Sequence, residues 1–137
     1  MNLVERLIAI DKKKFDEVET KTLKSKKIEF LLGEEANITI QALEPDQILA
    51  FQNSVTDKKG NLRTEKLYDM HAKIVAAGLV EPSLKDSALL SHLKTATPAE
   101  AAKKIFRGET IEISNEIIKL SGLTPEQEEE EEEEIKN

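Results

Sequence analysis

The chain contains no cysteine and no long apolar run, and these two absences exclude several classes of protein. Without cysteine there is no disulfide, no thiolate nucleophile and no cysteine-ligated zinc or iron–sulfur site. No apolar run approaches the roughly 20 residues that a transmembrane helix needs. The first residues lack the basic start and unbroken apolar stretch of a signal peptide. We therefore expect a soluble, cytoplasmic protein without membrane contact.

Catalytic and cofactor-binding motifs are also missing. There are only two histidines, His71 and His92, and their spacing does not form a metal-binding motif. The five glycines are dispersed, so they form no phosphate-binding loop, and no G-x-S-x-G segment is present. The acidic residues of the body are mixed with lysines, and none stands apart in an apolar setting that would raise its pKa. The sequence therefore predicts no enzymatic activity, no catalytic residue, no metal site and no cofactor.

The net charge of −7 comes from the C-terminal end of the chain. Residues 1–122 contain 19 Lys+Arg and 19 Asp+Glu, whereas residues 123–137 contain 1 Lys and 8 Glu. A neutral body has no long-range field that attracts phosphates, which argues against nucleic-acid binding despite the lysines at 12–14 and at 24, 26 and 27. Closely packed glutamates resist compaction, so residues 123–137 are predicted to be a disordered acidic tail.

The apolar pattern predicts an α+β fold that is mainly α. Residues 2–10 form a short amphipathic helix with Asn2 as its N-cap, and a polar, irregular linker extends to residue 27. Short alternating segments at 28–32 and 37–43, separated by Gly33-Glu34-Glu35-Ala36, predict a β-hairpin. From residue 45 onward four or five short helices follow, the clearest of which begins at Thr97-Pro98-Ala99-Glu100 with a capping box.

These patterns divide the chain into three parts. Residues 1–27 are the N-terminal helix and linker, residues 28–122 are a helical domain with the hairpin, and residues 123–137 are the tail. Two apolar stripes are candidate partner-binding surfaces. They consist of Leu3, Val4, Leu7 and Ile8 in the first helix and of Ile113, Ile117 and Leu120 in the last helix. The first helix is too short to be stable alone, so its stripe docks either on its own domain or on a partner.

Four segments follow one another in an order that covers nearly the whole chain. They are MNLVERLIAIDKKKF, IEFLLGEEANITIQAL, GLVEPSLKDSALLSHLKTATPAEAAKKIF and GETIEISNEIIKLSG. In this order, and with an acidic tail after them, they resemble the XkdN-like family of phage tail assembly chaperones. The resemblance lies in the ordered set, because no single segment carries a chemical signature.

The resemblance implies a binding function in phage or prophage tail morphogenesis. A chaperone of this kind binds the tape measure protein in the host cytoplasm and keeps it soluble until tail tube protein polymerises around it. The implied partners are therefore the tape measure protein and tail tube protein, and self-association stays open. Two alternatives remain: a structural component retained in the tail, and a small regulatory nucleic-acid-binding protein.

Overall fold

Helices make up most of residues 1–125, the part of the chain that this computed structural model describes. The helices are α1 (Leu3–Ile8), α2 (Lys12–Phe15), α3 (Lys26–Leu32), α4 (Pro45–Asn53), α5 (Leu67–Gly78), α6 (Ser87–Leu93), α7 (Pro98–Phe106) and α8 (Glu109–Leu120). The strands are β1 (Thr20–Lys24), β2 (Asn37–Gln41) and β3 (Leu79–Glu81), and a 3-10 turn spans Thr64–Lys66. Within these residues the predicted class, α+β and mainly α, is confirmed.

The sheet has three antiparallel strands in the order β1-β2-β3, and the predicted two-stranded hairpin is wrong. β2 pairs with β1, with Thr20 opposite Gln41 and Lys24 opposite Asn37, and on its other side with β3. The segment predicted as the first hairpin strand is instead helix α3. Its strand pattern was only three residues long, whereas helix signals act at both ends.

Those signals are an N-cap and a left-handed C-cap. The Ser25 hydroxyl accepts a hydrogen bond from the amide of Ile28 at 3.2 Å. At the other end Gly33 adopts a φ of 75°, which glycine reaches without steric cost. The strand that pairs with β2 in place of the predicted one is β1, which lies in the predicted linker. Its residues are mostly exposed and polar because it is an edge strand, so its sequence resembles a linker. The sheet therefore joins residues on both sides of the predicted boundary at 27/28.

The core is centred on α5, which packs against α4, α7 and α8. The core combines buried residues of α5 with buried residues of β2, α7 and α8. They include Ile38, Ile40, Met70, Ile74, Val75, Phe106, Ile113, Ile117 and Ile118.

The chain beyond α8 is folded against the body as far as it is described. The Leu123 amide donates to the Ile118 carbonyl at 3.1 Å, and Pro125 is buried. Residues 123–125 therefore continue the folded body instead of starting the predicted tail. The rest of that tail, residues 126–137, lies outside the described residues.

Candidate functional site

The two N-terminal helices carry an apolar surface that is separate from the core. None of residues 1–22 is buried, and α1 exposes Leu3 by 68%, Val4 by 64%, Leu7 by 44% and Ile8 by 77%. Within residues 1–125 none of these four side chains belongs to the core, and binding to a partner stays a prediction. We call the exposed apolar side chains of α1 and α2 the N-terminal surface.

Short-range caps form these two helices. The side-chain oxygen of Asn2 accepts a hydrogen bond from the Glu5 amide at 2.8 Å, as the sequence predicts. Asp11 caps α2 in the same way by accepting from the Lys13 amide at 2.9 Å. Helices of 6 and 4 residues are marginal without tertiary packing, and within residues 1–125 the apolar stripe of α1 is not part of the core.

The N-terminal surface is concave. Val4, Leu7, Ile8, Ile10, Lys12 and Phe15 line a groove of about 410 Å³. Five of these six side chains are apolar, and the sixth is a lysine whose stem can cover apolar surface. Such a lining suits the apolar face of another helix better than a polar ligand, because buried polar groups of a ligand would find few hydrogen-bond partners.

The N-terminal segment joins the body beside the C-terminal end of α8. The Glu19 carbonyl accepts a hydrogen bond from the Ala42 amide at 2.8 Å, and the Ser121 hydroxyl accepts one from the Leu43 amide at 2.9 Å. Phe15 and Leu120 line the same cleft at this junction. Leu120 is thus partly buried beside the N-terminal surface.

The other predicted site residues of α8 lie elsewhere. Ile113 is 4% exposed and Ile117 is fully buried, and both belong to the core. In this fold neither presents a surface to a partner. Their stripe has the same spacing whether it faces a core or a partner, so periodicity alone could not decide between the two.

A second cluster of exposed apolar side chains lies on α3, and it was not predicted from the sequence. Phe30 is 77% exposed, Leu31 57% and Leu32 62%, and we call these three residues the α3 tip. The sequence pattern predicts a strand here, in which alternate residues would be buried. The signal that could have found them is the combination of Ser25 as N-cap and Gly33 as C-cap around seven residues of helix.

The two histidines differ in their exposure to solvent. His71 is partly buried, its Nδ1 lies 2.7 Å from the Ser114 hydroxyl, and burial lowers the pKa of His71 below its ordinary value of 6.5. His92 is exposed on α6.

Across residues 1–125 no three His, Cys, Asp or Glu side chains are grouped so as to hold a metal ion. Over the same range no helix has the length and apolar character to cross a membrane.

Comparison with known proteins identifies one family. The profile of the family described as "Phage XkdN-like tail assembly chaperone protein" matches residues 4–136. A crystal structure titled as that of the protein yqbn has a similar fold, with a TM-score of 0.54 and 21% sequence identity. The similarity covers 77% of this chain and 87% of that one. No curated protein sequence matches the chain significantly.

Proposed function

Because this chain belongs to the XkdN-like family of phage tail assembly chaperones, we propose that it binds the tape measure protein and keeps it soluble during tail assembly. Membership of the family implies partners among the tail proteins. The finer statement, that the partner is the tape measure protein, comes from the family resemblance, and the exposed N-terminal surface supports it by offering apolar side chains to a helical partner. A long helical chain exposes apolar stripes before the tail tube encloses it.

The observation that carries the proposal is the exposure of α1. Four apolar side chains at helical spacing are 44–77% exposed, and none has a role in the core. Burying one such side chain contributes roughly 1.5–3 kcal/mol. Ordering two short helices and immobilising both partners offsets part of this gain. The result is a contact of moderate strength that tail tube protein can displace.

The charges around the N-terminal surface nearly balance. The basic side chains of residues 1–19 are Arg6, Lys12, Lys13 and Lys14, and the acidic ones are Glu5, Asp11, Asp16, Glu17 and Glu19. Charge therefore favours neither an acidic nor a basic partner, and the apolar lining of the groove carries the proposal.

Co-expression with the tape measure protein tests the proposal. We expect the wild-type chain to keep the tape measure protein in the soluble fraction, and Leu7→Asp to lose most of this effect because a carboxylate enters the groove. The matched control is Leu49→Asp on α4, since Leu49 is also exposed on a helix, by 46% against 44% for Leu7.

Two results would contradict the proposal. If the tape measure protein is equally insoluble with and without the wild-type chain, the function is wrong. If Leu7→Asp is folded by circular dichroism and captures as well as Leu49→Asp, the N-terminal surface does not bind the partner.

A further inference from the structure

The exposed face of α3 is apolar in its middle and charged at its ends. Lys27, Phe30 and Leu31 lie at i, i+3 and i+4 along one side of the helix. The Lys27 ammonium lies over the Phe30 ring, 5.1 Å from its centre, in a cation–π contact. Glu34 follows directly after the C-cap, and it is exposed.

This face is fixed in place before any partner binds. The carboxylate of Glu109, from α8, accepts hydrogen bonds from the Ser25 hydroxyl at 2.5 Å and from the Lys26 amide at 2.8 Å. Beyond the other end of α3, the Glu29 carboxylate accepts one from the Ala36 amide at 3.2 Å. A helix anchored at both ends presents Phe30 and Leu31 without a further ordering cost, which favours association.

The two ends of α3 carry charges of opposite sign. Lys26 and Lys27 lie at the N-terminal end, and Glu34 and Glu35 follow the C-terminal end. Glu35 lies 3.6 Å from the ammonium of Lys24 in its own chain, so Glu34 is the acidic side chain that the contact uses. When two copies of α3 lie antiparallel across a two-fold axis, Lys27 of each copy faces Glu34 of the other. The surface is therefore complementary to itself, which is the requirement for an isologous dimer.

We propose that two copies of this chain associate through the α3 tip, with Lys27 of each copy opposite Glu34 of the other. Phe30 and Leu31 of both copies form the apolar centre of the contact. This inference is independent of the tape measure protein and uses a different surface. An acidic segment, such as the glutamate run of the C-terminal end, fits less well because Glu34 and Glu35 would repel it.

The size of the surface sets the expected strength. A stable dimer buries roughly 800 Å² on each partner, and three exposed apolar side chains supply about half of that. The dimer should therefore be weak and its population should depend on concentration. Screening by about 0.15 M salt reduces the repulsion between the net negative copies, so the measurement belongs at that ionic strength.

Sedimentation equilibrium of the full chain over a range of concentrations tests the proposal. We expect a monomer–dimer equilibrium for the wild type. Leu31→Asp should weaken the dimer by about 100-fold or more, because a charged carboxylate from each copy would replace apolar surface at the centre of the contact. Leu7→Asp should leave it unchanged, which separates this surface from the N-terminal surface.

Charge reversal provides the sharper test. Lys27→Glu and Glu34→Lys should each weaken dimerisation by about 10-fold, because two attractive pairs become two repulsive pairs. The double variant Lys27→Glu/Glu34→Lys should recover it, and so should an equimolar mixture of the two single variants. Recovery requires a two-fold contact between these residues, since a general loss of stability would not be reversed.

Any of three results would overturn the inference. The first is a monomeric wild-type chain at every concentration measured. The second is a dimer that Leu31→Asp does not weaken. The third is a dimer in which the double charge reversal is as weak as the single ones. A monomer in which Leu31→Asp reduces tape measure capture would assign the α3 tip to that partner instead.

Discussion

Gly78 marks a close approach between α5 and α8. A Cβ atom at this position would lie 2.7 Å from Cδ1 of Ile117 and 2.9 Å from its Cγ2. Ile117 is fully buried, and its Cγ2 is attached to a branched carbon close to the backbone, so the side chain cannot swing away. The glycine therefore sets the distance between the two longest helices in the described part of the chain.

We expect Gly78→Ala to lower the free energy of unfolding by about 1–2 kcal/mol. Overpacking costs about 1–3 kcal/mol, and the better helix propensity of alanine, up to about 1 kcal/mol, offsets part of it. The control is Gly108→Ala, because Gly108 has a φ of −62° and a Cβ atom added there would meet no other atom within 4 Å. Denaturant unfolding measures both variants. Equal stabilities would mean that α5 and α8 are not in close contact at Gly78.

At the scale of elements, α3 depends on a residue that is distant in sequence. Glu109 begins α8, yet its carboxylate binds the Ser25 hydroxyl and the amides of Lys26 and Lys27 at the N-terminus of α3. These amides have no partner within the helix, and a carboxylate also interacts favourably with the positive end of the helix dipole. Ser25 is fully buried, so loss of its partner would leave a buried hydroxyl with one contact fewer.

We expect Glu109→Ala to lower the free energy of unfolding by about 1–2 kcal/mol, the usual cost of losing a helix cap. Amide hydrogen exchange should rise over residues 26–32, because uncapping acts on α3. The matched control is Glu112→Ala, an exposed position one turn later on α8, which should change stability by less than about 0.5 kcal/mol. Unchanged protection of residues 26–32 in Glu109→Ala would show that the cap does not support α3.

Elements with local signals were predicted well, and elements that depend on distant partners were not. The Thr97 hydroxyl accepts a hydrogen bond from the Glu100 amide at 3.2 Å, and the helix begins at Pro98, as predicted. β1 was not predicted because it forms a strand through its pairing with β2, while its own residues, TKTLK, have the composition of a polar linker. β3 has only three residues, too few for its own sequence pattern to predict a strand.

The candidate site was predicted in part for a related reason. A stripe of apolar residues identifies a face of a helix but not what the face contacts. Leu7 and Ile117 have the same pattern in sequence, yet Leu7 is exposed and Ile117 is fully buried. Only the tertiary structure separates them, because burial depends on which elements pack together. The tape measure protein as partner came from the family resemblance and not from either stripe.

At the scale of the whole molecule, the core that provides stability and the surface proposed for partner capture lie in different parts of the chain. The sheet begins at Thr20, and the core lies in the body that follows. The residues before Thr20 contribute exposed apolar surface instead of core contacts. At their C-terminal end, the Glu19 carbonyl accepts a backbone hydrogen bond from the Ala42 amide of the body. The two properties should therefore be separable by truncation.

We expect deletion of residues 1–18 to change the free energy of unfolding by less than about 0.5 kcal/mol, because none of the deleted residues is buried. The same deletion should abolish capture of the tape measure protein in co-expression. Ile40→Ala serves as the opposite control: it removes fully buried apolar volume, so it should cost about 2–5 kcal/mol while leaving the N-terminal surface intact. A truncated chain that unfolds as easily as Ile40→Ala would mean that α1 and α2 dock on their own body in solution. A truncated chain that is stable and still captures would move the binding surface onto the body.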